Sequence, residues 1–212
     1  MIAIVDYKAG NLRSVERALD RLGFASRITR DRDGILTAER VIFPGVGAAG
    51  TAMEDLQSTG VDVVLREARQ CGMPFLGICL GAQVILERSD EGDVACLGLL
   101  EGKVVRFPEP LLTAESKRLK VPHMGWNGLR ITRPHPVLDG VREAEEFYFV
   151  HEYYPQPAED HCVLGVTDHG ISFPSVIGEG NLVATQFHPE KSGIPGLRIL
   201  ENFCRWDGRH VE

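Results

Sequence analysis

The sequence predicts an α/β fold: a mostly parallel, doubly wound sheet flanked by helices, with a β-rich C-terminal half. Three observations predict it. Short apolar runs alternate with helix-period stretches through the N-terminal part of the chain, which is the pattern of repeated β-α units. From Leu97 onward short alternating strands take over. The strings richest in chemistry stand where apolar runs end, and the carboxyl ends of strands are where sites form in such sheets.

The elements follow in order. Residues 2–5, Ile-Ala-Ile-Val, read as a buried strand, and Leu12, Val15, Leu19 and Leu22 then recur at helical spacing between an Asn11 N-cap and a Gly23 C-cap. A second strand is expected near 24–29 and a third at 40–43. After these come Pro44-Gly45-Val46-Gly47, one helical stretch over 53–71, and an apolar strand, Met73-Pro74-Phe75-Leu76-Gly77-Ile78-Cys79, that turns into a helix near Leu80. In the later half, strands are expected at 103–107, 162–166, 175–178 and 181–187, with a final helix beginning near Pro195. Residues 108–120, with two prolines and several charges, read as a mobile surface loop. No internal repeat is visible, and residues 1–212 are expected to form a single domain.

Composition narrows the function classes. At 212 residues, 43% hydrophobic and 25% charged, the chain suits a compact core rather than a disordered or fibrous protein. A formal net charge of -7 and the lack of a long Lys/Arg block argue against nucleic acid or an anionic membrane as partner. No apolar run approaches the roughly 18 residues that span a bilayer, and the N-terminus enters a strand directly, so a cytoplasmic location is expected. The five cysteines are odd in number and form no Cys-x-x-Cys pair. Cys71, Cys96, Cys162 and Cys204 are expected to be small core residues. The seven histidines are scattered, so neither a metal nor a cofactor is expected.

Cys79 differs from the other cysteines. Gly77 and Gly81 flank it two residues either side, as a sharp strand-to-helix turn requires where Cβ atoms would clash. Such an elbow lifts the sulfur clear of the sheet and sets it at a helix N-terminus, where unpaired N–H groups favour a thiolate. Taken alone, the string also fits a small buried cysteine at a strand end. A partner stands far along the chain: the strand at 181–187 delivers His188-Pro189-Glu190. Residues two apart in extended chain share a side, so Glu190 can reach the imidazole and fix the tautomer that leaves the other nitrogen free for the cysteine proton. The elbow also supplies one oxyanion donor, the N–H of Leu80, and the second has to come from Gly45-Val46-Gly47. Gly45 tolerates either sign of φ whereas β-branched Val46 resists positive φ, which makes the peptide between them a two-state element whose N–H can point away at rest.

Together these features resemble the class I glutamine amidotransferases. Pro44-Gly45-Val46-Gly47, Pro122-His123-Met124-Gly125-Trp126-Asn127, Phe147-Tyr148-Phe149-Val150-His151 and Phe187-His188-Pro189-Glu190-Lys191-Ser192 are similar, in that order, to the signature strings of one branch, the glutaminase subunits of histidine biosynthesis. The resemblance spans nearly the whole chain and implies hydrolysis of L-glutamine by Cys79, His188 and Glu190. It also implies substrate contacts from Gly45, Gly47, Gln83, Glu91, Glu152 and Tyr153, and a heterodimer with a (β/α)8-barrel cyclase that receives the ammonia. Asn11, His123, Trp126, Tyr148 and Lys191 would then lie at the partner interface or along the ammonia path. Read by themselves, Gln83 is equally a polar helix residue, Glu91 a solvated turn carboxylate, Trp126 a core aromatic and Lys191 a solvated charge. The chain departs from the family at Glu152, where a small hydroxyl residue is usual. An acidic side chain there is expected to repel the substrate carboxylate, leaving only its backbone as a contact. A related subunit serving a surface-sugar pathway, a silent synthase-stabilising subunit and a free-standing cysteine hydrolase are the alternatives.

Overall fold

A computed structural model describes residues 1–8, 10–113 and 115–209. Its N-terminal part is β1 (Ile2–Val5), α1 (Leu12–Arg21), β2 (Ser26–Thr29), α2 (Arg32–Leu36), β3 (Arg40–Gly45), α3 (Ala49–Thr59), α4 (Val61–Gln70), β4 (Phe75–Cys79) and α5 (Leu80–Val84). Short strands follow: β5 (Arg88–Ser89), β6 (Val94–Ala95), β7 (Gly102–Arg106), β8 (His123–Gly128), β9 (Arg130–Ile131), β10 (Glu146–His151), β11 (Tyr153–Pro157), β12 (Val163–His169), β13 (Ile171–Glu179) and β14 (Leu182–Thr185). The last helix is α6 (Gly193–Arg205).

The main sheet has eight strands in the order β2-β1-β3-β4-β14-β13-β12-β9. Pairing is parallel from β2 through β14 and antiparallel beyond it. β14 thus brings the C-terminal half into register beside β4, with Thr185 opposite Ile78. Both faces of the central parallel strands are covered, so β1 and β4 are apolar at every position, whereas the edge strand β2, Ser-Arg-Ile-Thr, is only partly buried. Ala3, Val5, Val41, Phe43 and Phe75 pack with residues of α3 and α4, while Ile2, Ile4, Ile42, Leu76 and Ile78 pack with Val15, Leu19, Leu200 and Phe203 of α1 and α6. A ribbon of β8 and β10 and a smaller sheet, β11-β7-β5-β6, complete the C-terminal half. Among the described residues no helix is long and apolar enough to cross a membrane.

Several local expectations are corrected. The helical stretch at 53–71 is two helices, because Gly60 adopts φ 71°, a left-handed conformation that ends α3 and starts α4. Helix α2 had no apolar stripe to announce it; it is one turn held by Asp31, whose side chain accepts the Gly34 N–H at 2.8 Å. Asn11 stands at the start of α1, but at φ 71° its side chain makes no cap and donates to Glu190 instead. Gly23 does end α1, with the Phe24 N–H reaching back to the Leu19 carbonyl. Cys71 is exposed, whereas Cys96, Cys162 and Cys204 are buried. Within 108–120, Leu112 and Arg118 form an isolated antiparallel bridge, and Ala114 lies outside the described residues.

Candidate active site

Cys79 ends β4 and caps α5 with φ 55° and ψ −109°, a conformation that costs a non-glycine residue roughly 1–3 kcal/mol and persists only where packing enforces it. The flanking glycines show what enforces it. A Cβ on Gly81 would lie 2.0 Å from the Phe43 carbonyl oxygen, and one on Gly77 would lie 3.0 Å from the Gly81 carbonyl oxygen. Helix α5 is therefore pressed onto β3 and β4 more closely than any side chain allows. The result sets Sγ at the N-terminus of α5 with the Leu80 N–H beside it.

His188 follows β14 and is 1% exposed. Its Nδ1 lies 2.8 Å from Glu190 Oε1, and the same oxygen accepts the Asn11 amide at 2.6 Å. Both side chains are out of solvent. The other ring nitrogen, Nε2, is buried and has no hydrogen-bond partner among protein groups. Burial alone would lower the imidazole pKa, but the adjoining Cys79 thiol and the Glu190 carboxylate outweigh it and raise the value to about 9. A histidine in this setting holds its proton readily against a thiolate. The buried Cys96, Cys162 and Cys204 are the reverse case: burial pushes their thiols up to about 11, 11 and 12.

A cleft of about 320 Å³ opens onto the sulfur, within the range of small-ligand sites, and Val46, Gly47, Gln83, Glu91, Tyr153 and His188 are among its lining residues. Gln83 is buried and donates through Nε2 to the Tyr153 carbonyl at 2.8 Å and to Gln186 Oε1 at 2.9 Å. Glu91 Oε2 accepts the Ala49 N–H at 2.7 Å, an anion at the N-terminus of α3 and at the cleft wall at once. Glu152 differs from expectation. It lines the cleft, but its carboxylate is hydrogen-bonded to the Arg106 guanidinium, so its charge is compensated there. A larger cavity of about 600 Å³ adjoins this one across Pro122 and Glu152 and is lined by no cysteine, serine, threonine or histidine.

The glycine loop is built differently from the sequence reading. Gly45 does not have positive φ; its need for glycine is steric, since a Cβ would lie 2.4 Å from the Tyr7 hydroxyl and 2.9 Å from Leu80 Cβ. Gly47 carries the positive φ, 96°. Tyr7, which sequence reasoning missed, is buried with its hydroxyl unpartnered, and burial followed by the charge of Cys79 pushes the phenol well above its ordinary value.

The interface candidates divide. Trp126 is 54% exposed and packs edge-on against Tyr148, over whose ring Lys191 Nζ sits at 5.9 Å, so these three form one outward patch. His123 does not belong to that patch. It is 4% exposed and stacked on Phe149, with Nδ1 3.0 Å from His151 Nε2. Burial lowers His123 to about 4 and His151 to about 3, so both rings are neutral at physiological pH. Away from the cleft, His161, Cys162 and Glu179 bring three ligand-type atoms within 4.8 Å of one another, a grouping that spacing did not foretell; Arg69 pairs with that carboxylate.

Residues 3–206 match the family model described as glutamine amidotransferase class-I. The chain is 50% identical over 206 residues to "Imidazole glycerol phosphate synthase subunit HisH" of Nitratidesulfovibrio vulgaris (strain DP4), covering 97% of this chain and 96% of that one. It is 46% identical over 206 residues to the protein of the same name from Dehalococcoides mccartyi, covering 97% of each. Among solved structures, a crystal structure of a glutamine amidotransferase superposes with TM-score 0.71 at 21% identity, covering 96% of this chain and 100% of that chain. PurLQS from Thermotoga maritima superposes with TM-score 0.69 at 18% identity, covering 96% and 97%. At those identities the structural matches speak for the fold.

Proposed function

The chain belongs to the class I glutamine amidotransferases, and from that premise we propose that it is the glutaminase subunit of an imidazole glycerol phosphate synthase, acting in histidine biosynthesis. The observation that carries the chemistry is the convergence of a strained elbow cysteine, a buried histidine with one ring nitrogen unpartnered, and a carboxylate on the other nitrogen.

The reaction proceeds in two halves. His188 holds the proton of the Cys79 thiol, and the thiolate attacks the side-chain amide carbon of glutamine. The tetrahedral intermediate expels ammonia, which leaves with the proton from His188, and a γ-glutamyl thioester remains. Water, deprotonated by His188, then attacks the thioester; glutamate departs and the thiol is restored. Glu190 and Asn11 orient the imidazole through Glu190 Oε1. The Leu80 N–H stabilises the oxyanion, and the Val46 N–H becomes the second donor once its peptide turns toward the sulfur. Gln83, Glu91 and the backbone of residues 152–153 hold the amino-acid end of the substrate, with Gly45 and Gly47 letting the loop approach it. Ammonia passes to a (β/α)8-barrel cyclase seated on the Trp126, Tyr148 and Lys191 patch.

The test measures glutamine hydrolysis by the chain alone, with a cyclase, and with the cyclase plus its ligand N'-[(phosphoribulosyl)formimino]-aminoimidazole carboxamide ribonucleotide. Stimulation only by the full combination supports the assignment; stimulation by a sugar-pathway synthase instead, or full turnover by the chain alone, rejects it. Cys79→Ala should abolish turnover while retaining glutamine binding, and wild-type turnover in that variant ends the mechanism.

A further inference from the structure

Gln186 has no part in the reaction as described, yet it touches the nucleophile. It follows β14 directly, is fully buried, and gives its backbone N–H to the Ser175 carbonyl at 2.8 Å. Its side chain lies between Cys79 and Gln83: Oε1 accepts from Gln83 Nε2 at 2.9 Å, and Nε2 stands 3.8 Å from Cys79 Sγ.

The direction of both amides follows from one fixed acceptor. Gln83 Nε2 also donates to the Tyr153 carbonyl at 2.8 Å, and a backbone carbonyl can only accept. The Gln83 atom between the two is therefore nitrogen. Its neighbour on Gln186 has to be oxygen, and the Gln186 group turned to the sulfur has to be the NH2. A flipped Gln186 would set two NH2 groups against each other in a buried site, which is costly.

We propose that Gln186 is a positioning residue for the thiolate: its amide N–H donates to Cys79 Sγ, and Gln83 holds that amide in the donating orientation. The inference rests on Cys79 being the nucleophile. A donor aimed at sulfur favours the charged form over the neutral thiol and fixes the direction from which the sulfur approaches the substrate carbon. It also ties the residue assigned to the amino-acid end of glutamine to the nucleophile through a single bridging side chain. A buried glutamine that merely filled space would satisfy its amide equally well and leave the thiol's protonation untouched. The titratable groups that face Cys79 are His188, backed by Glu190, and Tyr7; Gln186→Met adds no charge beside them, whereas Gln186→Glu does.

The experiment is the rate of Cys79 alkylation by iodoacetamide as a function of pH, read by peptide mapping so that the exposed Cys71 is counted separately. Gln186→Met keeps the length and removes the donor; the midpoint of the low-pH limb should move up by about one pH unit, leaving roughly tenfold less thiolate. Gln186→Glu keeps the shape and replaces the donor by an acceptor; its midpoint should move up at least as far. A folded Gln186→Met protein with an unmoved midpoint overturns the proposal, and if that variant does not fold, an unmoved or lowered midpoint in Gln186→Glu overturns it. The readout needs no glutamine. A midpoint shifted in Gln186→Met, together with wild-type protein that hydrolyses no glutamine alone or with any partner, sinks the glutaminase reading and leaves the donor intact.

Discussion

Gly81→Ala tests whether the elbow is held by contact between α5 and β3. The added Cβ would sit 2.0 Å from the Phe43 carbonyl oxygen and 3.1 Å from its carbon. Carbon and oxygen in contact stay about 3.3 Å or more apart, so the helix or the strand has to yield by about 1 Å. β3 cannot: it is paired on both edges, to β1 and to β4. The displacement falls on α5 and on the Leu80 N–H. Overpacking of this kind costs about 3 kcal/mol, offset by up to about 1 kcal/mol from replacing a helical glycine. The net of about 2 kcal/mol lowers Tm by about 4–8 °C at 2–4 °C per kcal/mol for a chain of this size. Misplacing the nucleophile by about 1 Å lowers glutamine turnover on the order of 100-fold. Gly50→Ala is the paired control, since its Cβ would meet only Val94 Cγ2 at 3.5 Å and its φ is not positive. That variant should match or slightly exceed wild type in Tm and keep its turnover. The reasoning is refuted if Gly81→Ala matches wild type in both calorimetry and hydrolysis, or if Gly50→Ala loses as much.

The His188 imidazole should titrate near pH 9 by NMR and fall in Cys79→Ala, because the thiol is the first of the groups that raise it; an unchanged titration there would remove the thiol from the account. Glu145 is buried, which alone would raise its carboxyl, but the Arg142 backbone N–H and the Arg198 and Arg142 guanidiniums lower it from 4.5 to about 2. A depressed carboxyl stabilises the fold above its unfolded pKa and loses that contribution as pH falls through the folded value. Glu145→Gln should therefore melt below wild type at pH 7 and converge with it between about pH 4.5 and 2, while a gap constant with pH would contradict the pairing. Arg106→Ala uncovers the Glu152 charge beside the cleft. An exposed pair is worth up to about 1 kcal/mol, so the glutamine KM should rise by up to about fivefold, and a lower KM would reverse the sign of the argument.

The parallel half of the sheet was legible because its central strands are buried on both faces and its glycines mark real constraints: Gly77 and Gly81 fold the elbow, and Gly23 ends α1. The His188–Glu190 pair was legible because the two residues lie two apart and need only local chain to meet. What escaped depends on contacts between distant segments. Gln186 lay within the strand expected at 181–187, but nothing in a single strand tells which of its two faces holds a sulfur from β4. Tyr7 escaped likewise, since its partners are the ends of β3 and β4. Glu152 was misjudged because its charge was weighed without Arg106, which antiparallel pairing of β11 with β7 brings beside it. His123 was placed at the partner interface or along the ammonia path by resemblance alone; along β8 the burial changes within a few residues, and family position does not specify which side is in.

The base and the exposed patch share one piece of backbone. The His188 N–H donates to the Tyr148 carbonyl at 3.0 Å, the Ser192 hydroxyl donates to the His188 carbonyl at 2.6 Å, and the same hydroxyl accepts the Tyr148 N–H at 2.9 Å. Strand β10 thus clamps the histidine from both sides while carrying the ring that Trp126 and Lys191 flank on the outside. A clamp of this kind positions well and switches poorly, because packed, fully bonded backbone has no second arrangement of similar energy. The glycine loop is the opposite. Gly45 is wedged beneath Tyr7 and against Leu80, but Val46 is 38% exposed and a Cβ on Gly47 would meet nothing within 4 Å. Immobile backbone ends at Gly45, one residue before the N–H assigned to the second oxyanion donor. If a partner controls turnover through a backbone rearrangement, this loop, and not the clamped His188, is the segment with open space to supply it.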